Sequence, residues 1–460
     1  MSHASSGPPE PLLFDDEPAA VARLARPLQR FVALEVSGGL LLALATVAAL
    51  VWANSPWREA YDQVWHLTGR VSLGDRGLSL SLLHWIDDGL MALFFFVVGL
   101  EIKRELLVGE LASVRQAALP VAAALGGMVL PAVLYMAFNA DGAGSRGWAV
   151  PMATDIAFTL GVMVLLGRRA PRRLRVFVTA LAIVDDLGAV LIIALFYAGD
   201  ILPAYLLAAA LILALLLLLN AGGMRHPLPY ALLGLALWLV VLRSGLHATV
   251  AGVLAALAIP VRARIDGREF LRRAQASLRV FRADLREEAG AGLPTADQRA
   301  AIAALEASCE RAESPLHRLE DALHPWVTFL VLPVFALANA GVAIGGGPGV
   351  ALGDAVGRGI LFGLVLGKPL GILAACLLAV RLGLAELPRG VGWRHLTGAA
   401  CLCGIGFTMA LFIANLAFSQ PEQIVVAKLA ILEASLAAGI LGVLVLAWAP
   451  PVAAEDDDAD

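Results

Sequence analysis

Lysine is almost missing from this chain. Only Lys103, Lys368 and Lys428 carry it, within a Lys plus Arg total of 34 over 460 residues. Charge of every kind is scarce, at 16%, where a soluble domain has about 25%. Hydrophobic residues make up 59%, and the mean hydropathy of +0.80 is strongly positive. That balance excludes an ordinary soluble domain. The net charge of −4 says little by itself, and no nucleic-acid partner is expected. Cysteine is scarce too: Cys309, Cys376, Cys401 and Cys403. Three of these lie in or near apolar runs, where cysteine is a small hydrophobe. Cys401 and Cys403 have no further ligand residues nearby, so neither a disulfide framework nor a structural metal site is expected, and no cofactor. No GxxxxGK[ST] string occurs, which argues against drive by ATP within this chain. Residues 1–30 are polar and Pro-rich, without the short apolar core of a cleavable signal.

What the chain has instead is apolar runs of spanning length. They fall near 31–53, 86–107, 116–138, 148–167, 174–198, 202–221, 229–243, 246–260, 324–345, 357–380, 394–418 and 425–449. The expected fold is an all-α polytopic membrane protein with about 12 transmembrane helices, since no barrel alternation is present. Residues 1–30 read as an N-terminal segment, 31–261 as the first part of the bundle, 262–318 as a solvated helical insert, 319–449 as the second part and 450–460 as an acidic tail. The stretch 58–84 alternates and is punctuated by glycine, reading as a hairpin outside the bilayer or an irregular loop. Arginines crowd some loops (Arg168, Arg169, Arg172, Arg173 and Arg175; Lys103, Arg104 and Arg115; Arg381, Arg389 and Arg394), and alternate loops carry few. The rich loops are therefore assigned to the cytoplasm, together with both termini and the insert.

Against this scarcity of charge, the buried charges stand out. Asp185 and Asp186 sit in the middle of VFVTALAIVDDLGAVLIIALFY, where each charge costs about 2.5–3.5 kcal/mol on insertion scales. Their roughly 100° separation on a helix lets both edge one cavity. They read as a site for cations, protons or both in turn. Asp155 follows Pro151 and Thr154 in a second run; Pro151 weakens the local helix, and Asp155 could equally be an ordinary N-cap. Lys368, followed by Pro369, lies in a third run. Unlike arginine, a buried lysine can give up its proton, although a purely structural counter-ion fits as well. Gly404, Gly406 and Thr408 cluster in a fourth run, as a break or as tight packing. Glu433 has no evident role. Transport driven by an ion gradient fits this set best. A contiguous aspartate pair does not suit an intramembrane aspartyl protease, which needs its acids on facing helices. A channel needs neither a proton-carrying pair nor a deprotonatable lysine.

The strings GLEIKREL (99–106), ATDIAF (153–158), AIVDDLGA (182–189), SGLHATVAG (244–252), LHPWV (323–327), GKPLGI (367–372) and CGIGFTM (403–409) resemble, in order, those of NhaA-type sodium/proton antiporters. That family is itself among the examples behind the general rule for inverted-repeat transporters with broken helices at the midplane. The resemblance implies that fold, with broken helices near 148–167 and 394–418 crossing. It implies a secondary transporter rather than an enzyme, exporting Na+ (or Li+) against H+, electrogenic and pH-regulated, in a bacterial inner membrane. Another monovalent cation is the alternative cargo. Asp186 is then the main sodium and proton carrier and Asp185 a proton partner that can pair with Lys368. Asp155 and Thr154 sit at the crossing, where Asp155 balances positive helix ends and Lys368 negative ones. A pH-sensing cluster maps to Glu101, Arg104, Glu105, His247, Glu320 and His324, with Asp321 where the family has histidine. The 58–84 stretch resembles a dimer contact, so a homodimer amid membrane lipid is implied.

Overall fold

A computed structural model describes residues 35–73, 76–263, 265–284, 295–344 and 349–451. The segment 1–30, most of the acidic tail and residues 285–294 of the insert lie outside the described residues.

Every one of the twelve apolar runs holds helix. In chain order these are α1 (Glu35–Ala53), α2 (Arg58–His66), α3 (Met91–Val108), α4 (Val114–Asn139), α5 (Ile156–Leu165), α6 (Arg172–Phe196), α7 (Pro203–Ala221), α8 (Pro227–Val241) and α9 (Thr249–Ala258). They continue with α10 (Gly267–Asp284), α11 (Ala296–Ala312), α12 (Pro315–Trp326), α13 (Leu332–Asn339), α14 (Ala355–Phe362), α15 (Lys368–Arg381), α16 (Trp393–Leu402), α17 (Phe407–Ala417) and α18 (Pro421–Ala447). Among the described residues, seven helices are long and apolar enough to cross a membrane, or up to nine if two bent pairs each count as one span. α8 and α9 are apolar but shorter. The protein is thus an all-α, multi-pass membrane protein with broken helices.

Two groups of helices pack side by side. α3, α7, α8 and α9 share an apolar cluster with the start of α12, built on Leu100, Leu216, Leu237, Ala256 and Leu316. α4, α6 and α14–α18 form the other group, with α5 between it and α1. Small residues set the closeness. A Cβ at Gly126 would lie 2.2 Å from the Gly371 carbonyl oxygen, so α4 and α15 meet backbone to backbone.

The 58–84 stretch departs from the hairpin reading. Strands span only β1 (Thr68–Leu73) and β2 (Arg76–Ser81), paired antiparallel, and residues 58–66 form α2 instead. The reason is a helical spacing hidden in REAYDQVWH. Tyr61 and Trp65, four apart, bury one face of α2, with Tyr61 edge-on to Trp52 and its hydroxyl donating to the Leu337 carbonyl at 2.8 Å. The insert is a helical hairpin of α10 on α11, opened by a capping box at Thr295 and Gln298. Its ends meet, with Ile265 N–H donating to the Arg311 carbonyl at 3.2 Å. α12 already begins at Pro315, so the expected limit at 318 falls within a helix.

Candidate ion site at the crossing of two broken helices

The first broken helix is a 3-10 stretch, Ala143–Met152, then extended backbone, then α5. The second is α16 and α17, bent by 46° at a break of a few residues. Pro151 and the Gly404–Gly406 pair stop regular helix at these points. Gly404 also admits close approach, since a Cβ there would lie 2.6 Å from the Leu364 carbonyl oxygen. The breaks touch: Asp155 N–H donates to the Ile405 carbonyl at 2.7 Å.

One carboxylate closes both starts. Asp155 Oδ1 accepts from Phe158 N–H at 3.0 Å, capping α5. Asp155 Oδ2 accepts from the Thr408 N–H at 3.1 Å and the Thr408 hydroxyl at 2.5 Å, at the start of α17. A helix start carries about +0.5 charge, so two starts facing one carboxylate balance it. The opposite end of the first break is served by Lys368. Its ammonium donates to the carbonyl of Met152, the last residue of the 3-10 stretch, and pairs with Asp185 Oδ2 at 2.9 Å. Lys368 is fully buried. The Thr154 hydroxyl lies 2.8 Å from Asp185 Oδ2 and 3.2 Å from the Cys403 carbonyl oxygen, and donates to one at a time. The Thr159 hydroxyl donates to the Leu402 carbonyl at 3.2 Å, another exposed end of the second break.

Asp185 and Asp186 diverge as their helical angle requires. Asp185 faces Lys368 and Thr154. Asp186 lines a cavity of about 890 Å³ together with Thr154, Asp155 and Thr408. Asp185 Oδ1 and Asp186 Oδ2 are buried and have no hydrogen-bond partner. Buried carboxylate oxygens without a hydrogen-bond partner are costly unless a cation or a proton satisfies them. The cavity lining extends to Arg172, Arg175, Glu105 and Gln116, at the starts of α6 and α4 and the end of α3.

The expected sensor residues divide. Arg104 gathers three of them: its guanidinium bonds Glu320 Oε1, lies 3.0 Å from Glu105 Oε1 and 4.0 Å from Glu101 Oε1. His324 joins Glu101 and Glu105 on the cavity wall. His247 lies apart, bonded by Nε2 to the Tyr197 carbonyl at 2.8 Å, at the far end of α6 from Arg172. A position between two short helices in sequence does not say which end of the bundle it occupies. Sequence reasoning noted Thr408 only as part of a glycine cluster, and it missed Asn339 and Asn415 altogether. A threonine in an apolar run carries no mark of a partner far away in the chain. Glu433, unexplained by sequence, accepts from the Gly349 N–H at 2.9 Å.

Apolar spans, two broken helices crossing at mid-bundle, and buried acids with a buried lysine define an ion-coupled membrane transporter of the broken-helix class. The match to known proteins narrows this. The chain belongs to the family described as Na+/H+ antiporter 1, whose model matches residues 29–446. It is 51% identical over 429 residues to the Na(+)/H(+) antiporter NhaA of Oleidesulfovibrio alaskensis, covering 93% of this chain and 95% of that protein. It is 49% identical to the Na(+)/H(+) antiporter NhaA of Koribacter versatilis, covering 92% and 91%. A relative of the same name from Acidithiobacillus ferrooxidans is 50% identical, covering 91% and 96%.

Proposed function

We propose that this chain is a secondary transporter that exports Na+, and also Li+, in exchange for protons. The observation that carries the reading is the buried, unpartnered Asp186 Oδ2 on the wall of a cavity reaching the arginine-rich face, with Asp185, whose Oδ1 also lacks a partner, next to it in the chain. A small monovalent cation is held there when the carboxylates are ionised, and protons take its place when they are not. The two loads therefore compete for one place. Lys368 holds Asp185 in the empty state and can release it, with its own proton, when the pair breaks.

A charge count supports an electrogenic cycle. Asp155 is offset by two helix starts, each worth about half a charge. Lys368 faces one helix end and Asp185, so the ionised carboxylate pair, with two negative charges, has the lysine alone set against it. On the carboxylates themselves, one Na+ leaves a net negative charge, whereas two protons leave none. Exchange of two protons for one Na+ is the stoichiometry we adopt. The Arg104 cluster at the cavity mouth is the pH-sensitive part, with His324 beside it. The wider architecture we adopt is about twelve spans in inverted repeats, with α4–α6 and α14–α18 moving against α1, α3, α7–α9 and α12–α13. The arginine-rich face, both termini and the α10–α11 insert lie in the cytoplasm of a bacterial inner membrane, and the protein pairs as a homodimer through the β1–β2 hairpin amid membrane lipid.

The test is proton flux in proteoliposomes on adding Na+, Li+ or K+ across a pH series, with Asp186→Asn alongside. Proton release on Na+ and Li+ that vanishes in Asp186→Asn is the expected result. Release on K+ alone would change the cargo. Silence with all three cations at every pH would overturn the reading.

A further inference from the structure

The cavity reaches the end of the bundle marked by Arg172 and Arg175, and a polar cluster sits at the other end. Asp87 lies just ahead of α3, Asn339 ends α13, Asn415 lies in the last turns of α17, and Lys428 is in the early turns of α18. All four are at the end of the bundle away from Arg172 and the cavity mouth. Asn415 Nδ2 donates to Asn339 Oδ1 at 2.6 Å, and Asn339 Nδ2 donates to Asp87 Oδ1 at 2.8 Å. Asn339 is fully buried. The Lys428 ammonium acts on the Asp87 carboxylate through space.

Each contact in this chain joins a helix of one packed group to a helix of the same or the other group in a telling order. Asn415 and Lys428 belong to the group that carries the ion site, whereas Asn339 and Asp87 belong to the flanking group. The Asn415–Asn339 hydrogen bond and the Lys428–Asp87 attraction therefore cross the seam between them. Immediately inward, the same seam is filled by aromatic rings: Phe412 of α17 lies 5.5 Å from Phe95 of α3 and 6.2 Å from Phe335 of α13. Along α17, Thr408, Phe412 and Asn415 fall on one face at helical spacing. They run from the Asp155 contact through the aromatic plug to the polar cluster, over about 10 Å at 1.5 Å per residue.

We propose that Asn415, Asn339, Asp87 and Lys428 form a latch that holds the seam shut on the side opposite the cavity. These are positioning residues: they touch no ion in this state, and they set how often the site turns to the far face. The inference rests on the antiport reading above. Hydrogen bonds across a sliding seam suit such a latch, because each contributes modestly and can be remade. The aromatic plug excludes water, and the latch supplies the direction.

The test uses the full-length protein in proteoliposomes, with Asn415→Leu and Lys428→Met as independent variants and the double variant Asn339→Leu/Asn415→Leu. Half-saturating Na+ is measured separately from each face. A loosened latch lowers the share of molecules open to the cavity side, so half-saturating Na+ rises on that face and falls on the other. The ratio is expected to shift about five-fold, the factor for one net hydrogen bond. Hydrogen exchange of the 411–418 backbone should quicken by a similar factor, about five-fold. The double variant also loses the Asn339–Asp87 bond and should shift the ratio further than Asn415→Leu alone. Half-saturating Na+ that moves the same way on both faces, or exchange that does not change, overturns the latch. Absence of sodium-driven flux in the wild type would instead sink the antiport reading, and the exchange measurement would still decide the latch.

Discussion

Removing the Asp155 carboxylate should destabilise the protein in a graded way that no single-helix cap would produce. Asp155→Ala strands three donors at once: Phe158 N–H, Thr408 N–H and the Thr408 hydroxyl. Losing an N-cap costs about 1 kcal/mol. Each hydrogen bond to a charged acceptor is worth about 1.5–3 kcal/mol, so the sum is roughly 4–7 kcal/mol. The Thr408 hydroxyl can turn to another acceptor, which puts the expectation near 4 kcal/mol, a large part of the about 5–15 kcal/mol that holds a protein folded. Asp155→Asn keeps one acceptor oxygen but turns an NH2 toward the other helix start, and should cost roughly half as much, about 2 kcal/mol. Thermal unfolding of the purified full-length chain, followed by tryptophan fluorescence, should rank wild type above Asn above Ala. The Ala variant should fall by roughly 5–10 °C. Thr408→Val added to Asp155→Ala should cost little further, because the partner is already gone. An Ala variant within a degree of wild type, or an Asn variant below it, would refute the account of one carboxylate closing two helices.

Lys368→Met leaves Asp185 buried without its cation and should cost about 3–5 kcal/mol in thermal unfolding, with Asp185→Asn in the same chain restoring part of it. Gly371→Ala would set a Cβ 2.1 Å from the Gly126 carbonyl oxygen, so yield and thermal stability should both drop, whereas Gly353→Ala, with open space around it, should be silent. Glu320→Ala removes a carboxylate bonded to Arg104 and should displace the activity–pH profile; His247→Ala, at the other end of α6, should leave that profile in place. Joining Ile265 to Arg311, whose backbones already meet at 3.2 Å, should delete the α10–α11 hairpin with transport and pH response unchanged.

The sequence made the helical spans legible because a bilayer leaves few alternatives: apolar length and internal hydrogen bonding are both demanded. The breaks were legible as well, through Pro151 and the glycines at 404 and 406. Asp155, Asp185 and Lys368 are legible as charged residues in apolar runs, and the structure joins Thr154 and Lys368 to Asp185, while Asp155 bonds Phe158 and Thr408 instead. Other features depend on contacts between distant residues. Thr408 matters because Asp155 arrives from another helix, 253 positions away in the chain. Asn339 and Asn415, 76 positions apart, are ordinary amides until they meet. α2 was misread because glycines further along suggested turns, while the Tyr61–Trp65 spacing that favours helix is only one turn long. His247 was grouped with Arg104 by resemblance, but its placement depends on where short α9 starts within the bundle.

The charge pairing bears on how the site can move at all. Broken helices expose half-charges that would resist displacement if their counter-charges were fixed on another body. Here Asp155 lies on the first break and Lys368 at the start of α15, both in the group that carries the site, and each bonds only within that group. The crossing therefore travels with its own compensation, and moving it across the seam leaves those helix ends satisfied. What changes between faces is limited to the partners of Asp185 and Asp186 and to the contacts along the seam. The Asn415–Asn339 bond is one of those seam contacts. On the proposed antiport reading, this arrangement ties the conformation to the load on Asp185 and Asp186, because Asp155 keeps its compensation within the group that carries the site.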